Sequence, residues 1–349
     1  MPMAKRKRKS PQGAPDGWAQ LQTLLADSKA HSAPGITLVV GAGIHRERTS
    51  NSIAGQSAVN ALGSWRGLLS HFATSQSLEC DPQRGNLALV WEELAFKFER
   101  SGSAWQRETS ALYALQEVIT GFSETVPNLR RRAIQVVSDP RFINVINLNI
   151  DRFLIDELIK EEDRRVWRPQ PSHTKRGKRG SDLDKSRAFC SAIDRRKVWQ
   201  PHGDVLLKGS LCLGNRAYML SMMAFEKYRN EIWKVNRQQN SKADSHGKTP
   251  SPRAANSYLS WADVMLHSHL LFVGCGLSSH DADIWFALNC RRRYWIRHPG
   301  KAPKTFVVRA NDNNTDPIPQ EYATVLSANN YDDAWKLLGW ALEGRKGGQ

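Results

Sequence analysis

The sequence predicts an α/β fold, a doubly wound parallel sheet with an inserted helical subdomain. Three features carry that expectation. Short β-branched and leucine-rich runs, "ITLVV", "FINVINLNI" and "HLLFV", each lead into a polar or glycine-rich turn. Helical stretches lie between them, and strands alternating with helices build parallel sheets. The length, 349 residues with 40% hydrophobic and 24% charged, suffices for one large α/β domain or two modest ones with a real core.

The elements follow in order. Residues 1–17 carry Pro, Gly and Lys/Arg and read as a disordered basic tail. The folded domain then spans 18–345, opening with a short amphipathic helix from about Trp18 to Ala30. "GITLVVGAGI" is a buried parallel strand stopped by Gly-Ala-Gly. "WRGLLSHF", "LALVWEELAFKFER" and "ETSALYALQEVITGF" place apolar residues at helical spacing, so helices near 65–79, 87–100, 106–122 and 128–137 form a subdomain over about 60–138. "FINVINLNI" returns to sheet, and "DRFLIDELIKEED" is helical. Residues 164–187 read as a basic loop insertion. "KVWQPHGDV" is a short strand ending in a Pro-His-Gly turn, and "YMLSMMAFEKYRNEIWKVN" a strand followed by a helix. The polar stretch 236–256 reads as a flexible loop. "HLLFVGCGLSSHDADIWFAL" is strand, turn and helix; "KTFVVRA" adds a strand and "YDDAWKLLGWALEG" a closing helix. No internal repeat is visible.

Composition excludes several classes. No apolar run of about 18 residues exists, so no membrane span is expected, and the basic start lacks the apolar segment of a secretory signal. Five scattered cysteines without a CxxC pair predict a reduced, cytoplasmic chain with no cysteine-based zinc module. Net charge is +16. Residues 5–9 are all cationic, Arg164 to Arg179 hold seven cations and no acid, and Arg291, Arg292 and Arg293 form a third cluster. These runs either attract polyanions, nucleic acid included, or are solvated loops.

Ligands of doubly wound sheets bind outside the carboxyl ends of the strands. Four turns are expected there and should share one crevice: Gly41–Ile44, Asn147–Asp151, His202–Asp204 and Gly274–Asp281. Gly41-Ala42-Gly43 and Ile44 form a turn that admits a pyrophosphate close to the backbone, or one that simply needs small residues. Gly274, Gly276, Ser278 and Ser279 suit an adenosine ribose, again with a tight turn as the alternative. Asp151 could also be only a helix N-cap, and Asn147 a strand-closing residue. His45 and Arg46 either reach a pyrophosphate or face water. Asp204 either orients His202 or faces water, while His280 and Asp281 read as helix caps. His267 and His269 flank a strand with no third ligand nearby, so no metal is expected.

Taken together, "GAGI" at 41–44, "NLNID" at 147–151, "QPHG" at 200–203 and "LFVGCGLSSHDADI" at 271–284 resemble, in this order, the sirtuin superfamily of Sir2-like proteins. The resemblance spans about residues 35–345 and implies a Rossmann-like, NAD-binding fold. Departures mark a branch. "HRERTSNSIAGQ" stands where deacylases carry Gly-Ile-Pro-Asp-Phe-Arg, the four-cysteine zinc module is missing, and "GSWRGLL" at 63–69 looks like a segment of bacterial anti-phage defence domains that degrade NAD. Gly276 replaces a frequent serine.

The resemblance implies that Asn149 and His202 are catalytic. Asn149 would hold the nicotinamide ribose or attacking water, and Asp151 would receive the carboxamide. His202, with an ordinary pKa near 6.5, could take a proton from a hydroxyl or water. Trp65 would cover the nicotinamide or ribose, unless it is simply core. The expected activity is NAD+ hydrolysis to nicotinamide and ADP-ribose, with NAD+ as substrate and no metal. It would deplete NAD during infection and be held off by homo-oligomer assembly or by a sensor partner, an ATPase or an Argonaute-like protein. The alternatives are a non-catalytic nucleotide- or nucleic-acid-binding subunit and an NAD-dependent deacylase; no segment marks the acyl-lysine channel that the latter needs.

Overall fold

The computed structural model describes residues 16–27, 34–48, 52–81, 86–122, 124–161, 168–169, 190–193, 196–205, 211–241, 260–277, 281–296, 299–310 and 317–343. Most of the expected basic tail, most of the 164–187 insertion, residues 242–256 of the expected flexible loop, and Ser278, Ser279 and His280 lie outside the described residues.

Eight strands form one sheet: β1 (Ile36–Val40), β2 (Asn144–Asn147), β3 (Arg168–Pro169), β4 (Cys190–Ile193), β5 (Arg196–Trp199), β6 (His269–Val273), β7 (Thr305–Ala310) and β8 (Thr324–Ala328). Their order is β3-β4-β5-β2-β1-β6-β7-β8. From β5 to β8 every pairing is parallel, so these six strands, numbered among themselves, run 3-2-1-4-5-6. That is the Rossmann-like arrangement the sequence predicts. β4 and β3 extend the β5 edge in antiparallel fashion. All five residues of β1 and of β6 are buried, as in central strands covered on both faces.

Helices α1 (Asp16–Asp27), α6 (Arg131–Val137), α7 (Phe153–Glu161) and α11 (Tyr331–Glu343) cover one face, joining Trp18, Val136, Leu154 and Trp335 in one core. On the other face lie α8 (Gly214–Ser241), α9 (Trp261–His267) and α10 (Ala282–Trp295), with Phe225, Val264 and Ile284 against Phe272. The inserted helices are α2 (Ile53–Leu62), α3 (Trp65–Ser75), α4 (Leu87–Phe98) and α5 (Ala104–Gly121). Each starts on a capping side chain: Ser52, Ser64, Asn86 and Ser103 accept the backbone N–H of Gly55, Gly67, Ala88 and Gln106. Each cap contributes about 1 kcal/mol. The subdomain core of Phe72, Trp91, Leu94 and Leu115 also takes in Ile150 and Val205, which follow β2 and β5. The inserted helices therefore sit on the carboxyl edge of the sheet.

Several expectations need correction. The first helix is described over Asp16–Asp27 and so takes in two residues of the segment assigned to the tail, while residues 28–30 of the expected helix lie outside the described residues. The helical insertion begins at Ile53 rather than near 60. The strand expected over "FINVINLNI" pairs only from Asn144 to Asn147, because the Asn147 side chain accepts the Asn149 N–H and turns the chain out of the sheet. The run "YMLSMMAF" is helix from the start: Ala224, Phe225 and Tyr228 face the core at helical spacing while Met219 and Met223 are exposed. That helix extends to Ser241, into the stretch read as loop. Arg168 and Pro169, within the expected basic loop, form β3. Strand β8 was not anticipated. Among the described residues, no helix is long and apolar enough to cross a membrane.

The turns after β1 and β6 explain their glycines. A Cβ on Gly43 would lie 2.8 Å from the Gly274 Cα, and one on Gly41 would lie 2.6 Å from the Gly274 carbonyl oxygen. Gly274 has φ +67°, and its Cβ would lie 2.7 Å from the Ile44 nitrogen. Gly276 has open space around it. Gly274→Ala is therefore expected to cost about 1–3 kcal/mol or more, whereas Gly276→Ala stays within about 0.5 kcal/mol. Urea unfolding of both variants checks the contrast, and equal midpoints would refute it.

Candidate active site

The four strands β5, β2, β1 and β6 are consecutive neighbours, so the four turns expected to share a crevice stand side by side at their carboxyl ends. Hydrogen bonds stitch them together. Gly41 N donates to Val273 O at 3.1 Å and Gly43 N to Gly274 O at 2.9 Å, joining the β1 and β6 turns. Leu148 N donates to Val40 O and Val205 N to Ile150 O, at 2.9 and 2.8 Å. Ile44 N donates to Gly41 O at 3.1 Å. Three amides of the Gly-Ala-Gly-Ile turn are thus engaged within the protein, and its glycines serve close packing against Gly274.

At the end of β2, Asn147 is fully buried and Asn149 nearly so. The Asn147 Oδ1 accepts Asn149 N at 3.2 Å, which fixes the turn. The side-chain NH2 groups of both residues are buried, and among the described residues neither has a hydrogen-bond partner. Each such orphan costs about 1–3 kcal/mol, so the pair is a conspicuous place for an acceptor brought by a ligand.

His202 follows β5 in the turn Gln200–Gly203, where Gly203 adopts φ +90° and donates its N–H to Gln200 O at 3.0 Å. The ring is buried. Its Nδ1 lies 3.0 Å from Leu148 O and its Nε2 lies 2.9 Å from Asp283 Oδ2. Both oxygens only accept, so both contacts are donated when the ring is an imidazolium. Burial pushes the His202 pKa down, but the Asp283 charge, its hydrogen bond and the Leu148 carbonyl outweigh this and hold it above 6.5. In this arrangement neither nitrogen is free to take a proton from a substrate. The phenol ring of Tyr218 lies against the imidazole, 5.5 Å between centroids.

A second buried histidine stands at the other side of the β2 turn. His45 Nε2 donates to Asp151 Oδ2 at 3.0 Å, because its Nδ1 already accepts Arg48 Nε at 3.2 Å. Arg48 in turn donates to Glu157 Oε1 at 3.1 Å and to Pro127 O at 2.5 Å. Asp151 Oδ1 accepts Phe153 N at 3.1 Å, at the start of α7. Both Asp151 oxygens are therefore held by the protein. Burial raises its carboxyl pKa, but His45, Arg48 and the Phe153 amide pull it below the ordinary 3.8. His45 is wholly buried, not exposed, while Arg46 is exposed and lies over the Tyr331 ring.

The remaining sequence candidates fall as follows. Trp65 opens α3 and lines a cleft with Trp91, Leu213 and Tyr218. Asp204 is buried with its carboxylate 3.9 Å from Arg152 Nε, so Asp283 rather than Asp204 holds His202. Asp281 occupies the N-cap position of α10 but makes no side-chain cap bond. Gly276 O accepts an Arg309 N–H at 3.0 Å. His267 packs edge-on against Tyr294 and Trp295. His269 Nδ1 accepts Lys304 N; burial, with the Arg291 and Lys304 charges, lowers its pKa to about 4. Both histidines serve the core beneath the sheet. Among the described residues, no three of His, Cys, Asp and Glu are grouped to hold a metal ion.

Sequence reasoning missed Asp283, Tyr218, Arg48 and Glu157. Asp283 reads locally as one more acid at a helix start, and "HRERTS" reads as an exposed charged loop. Only the three-dimensional pairing distinguishes them.

Two outcomes are expected. Arg48→Met removes the donor to His45 and leaves Glu157 without its cation, lowering stability by about 3 kcal/mol or more. Arg48→Lys recovers only part of this, since a single ammonium cannot serve three acceptors in a fixed fork; urea unfolding of both measures the difference. Because the folded His202 pKa is raised, its ion pair contributes fully below pH about 6.5 and is lost as pH rises through the folded pKa. The stability gap between the parent chain and His202→Gln should therefore narrow from pH about 6 to pH about 9; a constant gap would contradict an imidazolium–carboxylate pair.

Comparison of the sequence with models of known protein families finds no match, and comparison with curated proteins finds none.

Proposed function

We propose that this chain is an NAD+ glycohydrolase that cleaves the nicotinamide–ribose bond to give nicotinamide and ADP-ribose. The observation that carries it is the pair of buried, unpartnered amides of Asn147 and Asn149. They lie at the carboxyl end of β2, on the strand next to the switch point between β1 and β6, where doubly wound sheets take nucleotides. The reaction asks for such groups. Nicotinamide leaves a cationic ring as a neutral molecule, so the protein must orient the ribose, stabilise an oxocarbenium-like centre and place water opposite the leaving group.

Asn149 holds a ribose hydroxyl or the attacking water through its amide. Asp283, in the first turn of α10, supplies negative charge that favours a developing cation. His202, tied to Leu148 O, aims Asp283; as an imidazolium it accepts a proton only after passing one of its own to Asp283 or to solvent. Asp151, held by His45 and Phe153 N, fixes the end of the β2 turn and so the direction of Asn149. Close approach of a pyrophosphate is left to Gly41–Ile44 and to Gly274 and Gly276. The motif resemblance extends the proposal to NAD depletion in anti-phage defence, restrained by self-assembly or by an ATPase or Argonaute-like sensor.

One observation favours a second reading, a binding-only subunit for nucleotides or nucleic acid: both His202 nitrogens and three glycine-turn amides are already engaged.

The test is to incubate the purified chain with NAD+, with and without DNA, and to follow nicotinamide and ADP-ribose by chromatography. Turnover is expected to fall by about 10²-fold or more in Asn149→Ala and Asp283→Asn, with native circular dichroism. NAD+ binding without product in the parent chain, with or without DNA, would move the assignment to the binding-only reading.

A further inference from the structure

Three groups surround the buried His202 ring. Leu148 O and Asp283 Oδ2 take its two nitrogens, at 3.0 and 2.9 Å. The third is the phenol ring of Tyr218, with 5.5 Å between centroids and 43° between planes. Tyr218 stands one turn into α8, and that stretch of chain is tied down on two sides. Cys212 N donates to His202 O at 2.9 Å, which joins the approach to α8 to the backbone of the histidine. Asn215 N donates to Glu92 Oε1 at 2.9 Å, which joins the first turn of α8 to α4 of the inserted helices. Between them Gly214 adopts φ +80°, and a Cβ there would lie 3.2 Å from Trp91 Cδ1.

We propose that Tyr218 is a positioning residue for His202: its phenol ring holds the histidine as an imidazolium, and the anchorage of α8 on α4 holds the phenol in place. A cation within about 6 Å of an aromatic centroid is drawn to the electron-rich face of the ring, more strongly where water is excluded. His202 is 2% exposed, so solvent screens this attraction little. A neutral imidazole gains less from the same contact, so the phenol favours the protonated ring. The other groups that bear on the charge of the imidazole are Asp283 and Asp281, at the start of α10, and the Leu148 carbonyl. Asp204, two positions on, lies instead 3.9 Å from Arg152 Nε. Tyr218 adds no charge of its own: burial, with Asp283, Cys212 and Asp281 nearby, pushes its phenol well above the ordinary 10. Under the function proposed above, Tyr218 thereby takes part in deciding when His202 gives up a proton. That use rests on the proposed reaction; the hold on the ring does not.

The test is a titration of the histidine ring signals of the 15N-labelled chain, without substrate, from pH about 5 to about 10. His202 is assigned from His202→Gln. Tyr218→Leu keeps an apolar side chain and removes the aromatic face, and is expected to lower the His202 midpoint by about 0.5 unit or more, roughly a threefold loss of proton affinity. Tyr218→Phe keeps the ring and should show less than about half of that fall. A merely structural role would move the urea midpoint of the Leu variant and leave the titration of His202 where it is. Tyr218→Met serves if Tyr218→Leu does not fold. A His202 midpoint in the Leu variant no lower than in the parent chain would overturn the proposal. So would a fall in Tyr218→Phe that matches the Leu variant, or a His202 that titrates in none of the chains. The readout needs no turnover, so a chain that shows this pattern yet leaves NAD+ intact would retain the positioning role and lose only the hydrolase assignment.

Discussion

The turns that follow β1 and β6 approach so closely that neither can carry a side chain on its inner surface. Gly43 N meets Gly274 O at 2.9 Å, and a methyl group on Gly41, Gly43 or Gly274 would fall within 3.0 Å of opposing backbone. Protein interiors are close-packed, so such a contact leaves little freedom to slide. It sets the height of both turns at the carboxyl edge. The β2 turn then registers on β1 through Leu148 N and Val40 O, and the β5 turn registers on β2 through His202 and Val205. Four segments far apart in the chain acquire one common frame from a glycine-on-glycine contact.

That contact changes the chemical meaning of the glycines. A glycine-rich turn at a strand end is often a phosphate cradle because its N–H groups point outward. Here the amides of Gly41, Gly43 and Ile44 end on carbonyls of the protein itself. Donor capacity at the edge passes instead to side chains, chiefly the two asparagine amides after β2. The inserted helices reinforce the shift, since Ile150 and Val205 are buried in the subdomain core. Those helices roof the edge and, with the start of α8, bring Trp65 and Trp91 to Tyr218.

How much of this the sequence disclosed depends on whether the signal was local. β1 and β6 were legible because both faces are covered and every residue is buried, all of them apolar except Thr37 and His269. The order of the four turns was legible because each follows such a strand. β8 was not: "TVLSA" alternates buried and exposed positions at the sheet edge, and so few residues barely depart from loop composition. The start of α8 misled because three methionines look like buried strand until Met219 and Met223 are seen to face solvent. Asn149 and His202 could be singled out as polar residues at strand ends. Asp283 could not, because its partner lies 81 positions away and its own surroundings read as an ordinary acidic first turn. Arg48 was hidden for the same reason, its buried partner Glu157 being 109 positions off.

The distribution of satisfied and unsatisfied groups has a consequence for any nucleotide that reaches this edge. His45 is hydrogen-bonded to Asp151 and His202 is ion-paired with Asp283, and removing one member of the buried ion pair costs about 3–5 kcal/mol. The two asparagine amides are unpaired, and supplying an acceptor to each recovers about 1–3 kcal/mol. A ligand therefore gains by meeting Asn147 and Asn149 first and loses by competing with Asp283 for His202 at the outset. Under the proposed reaction this ordering has a use. Binding energy collected at the amides would become available to open the His202–Asp283 contact, which lowers the imidazole's proton affinity, so the ring would be able to lose its proton only after the sugar is seated. Under that reading, a histidine released by the substrate itself would limit cleavage to molecules that engage the asparagine amides.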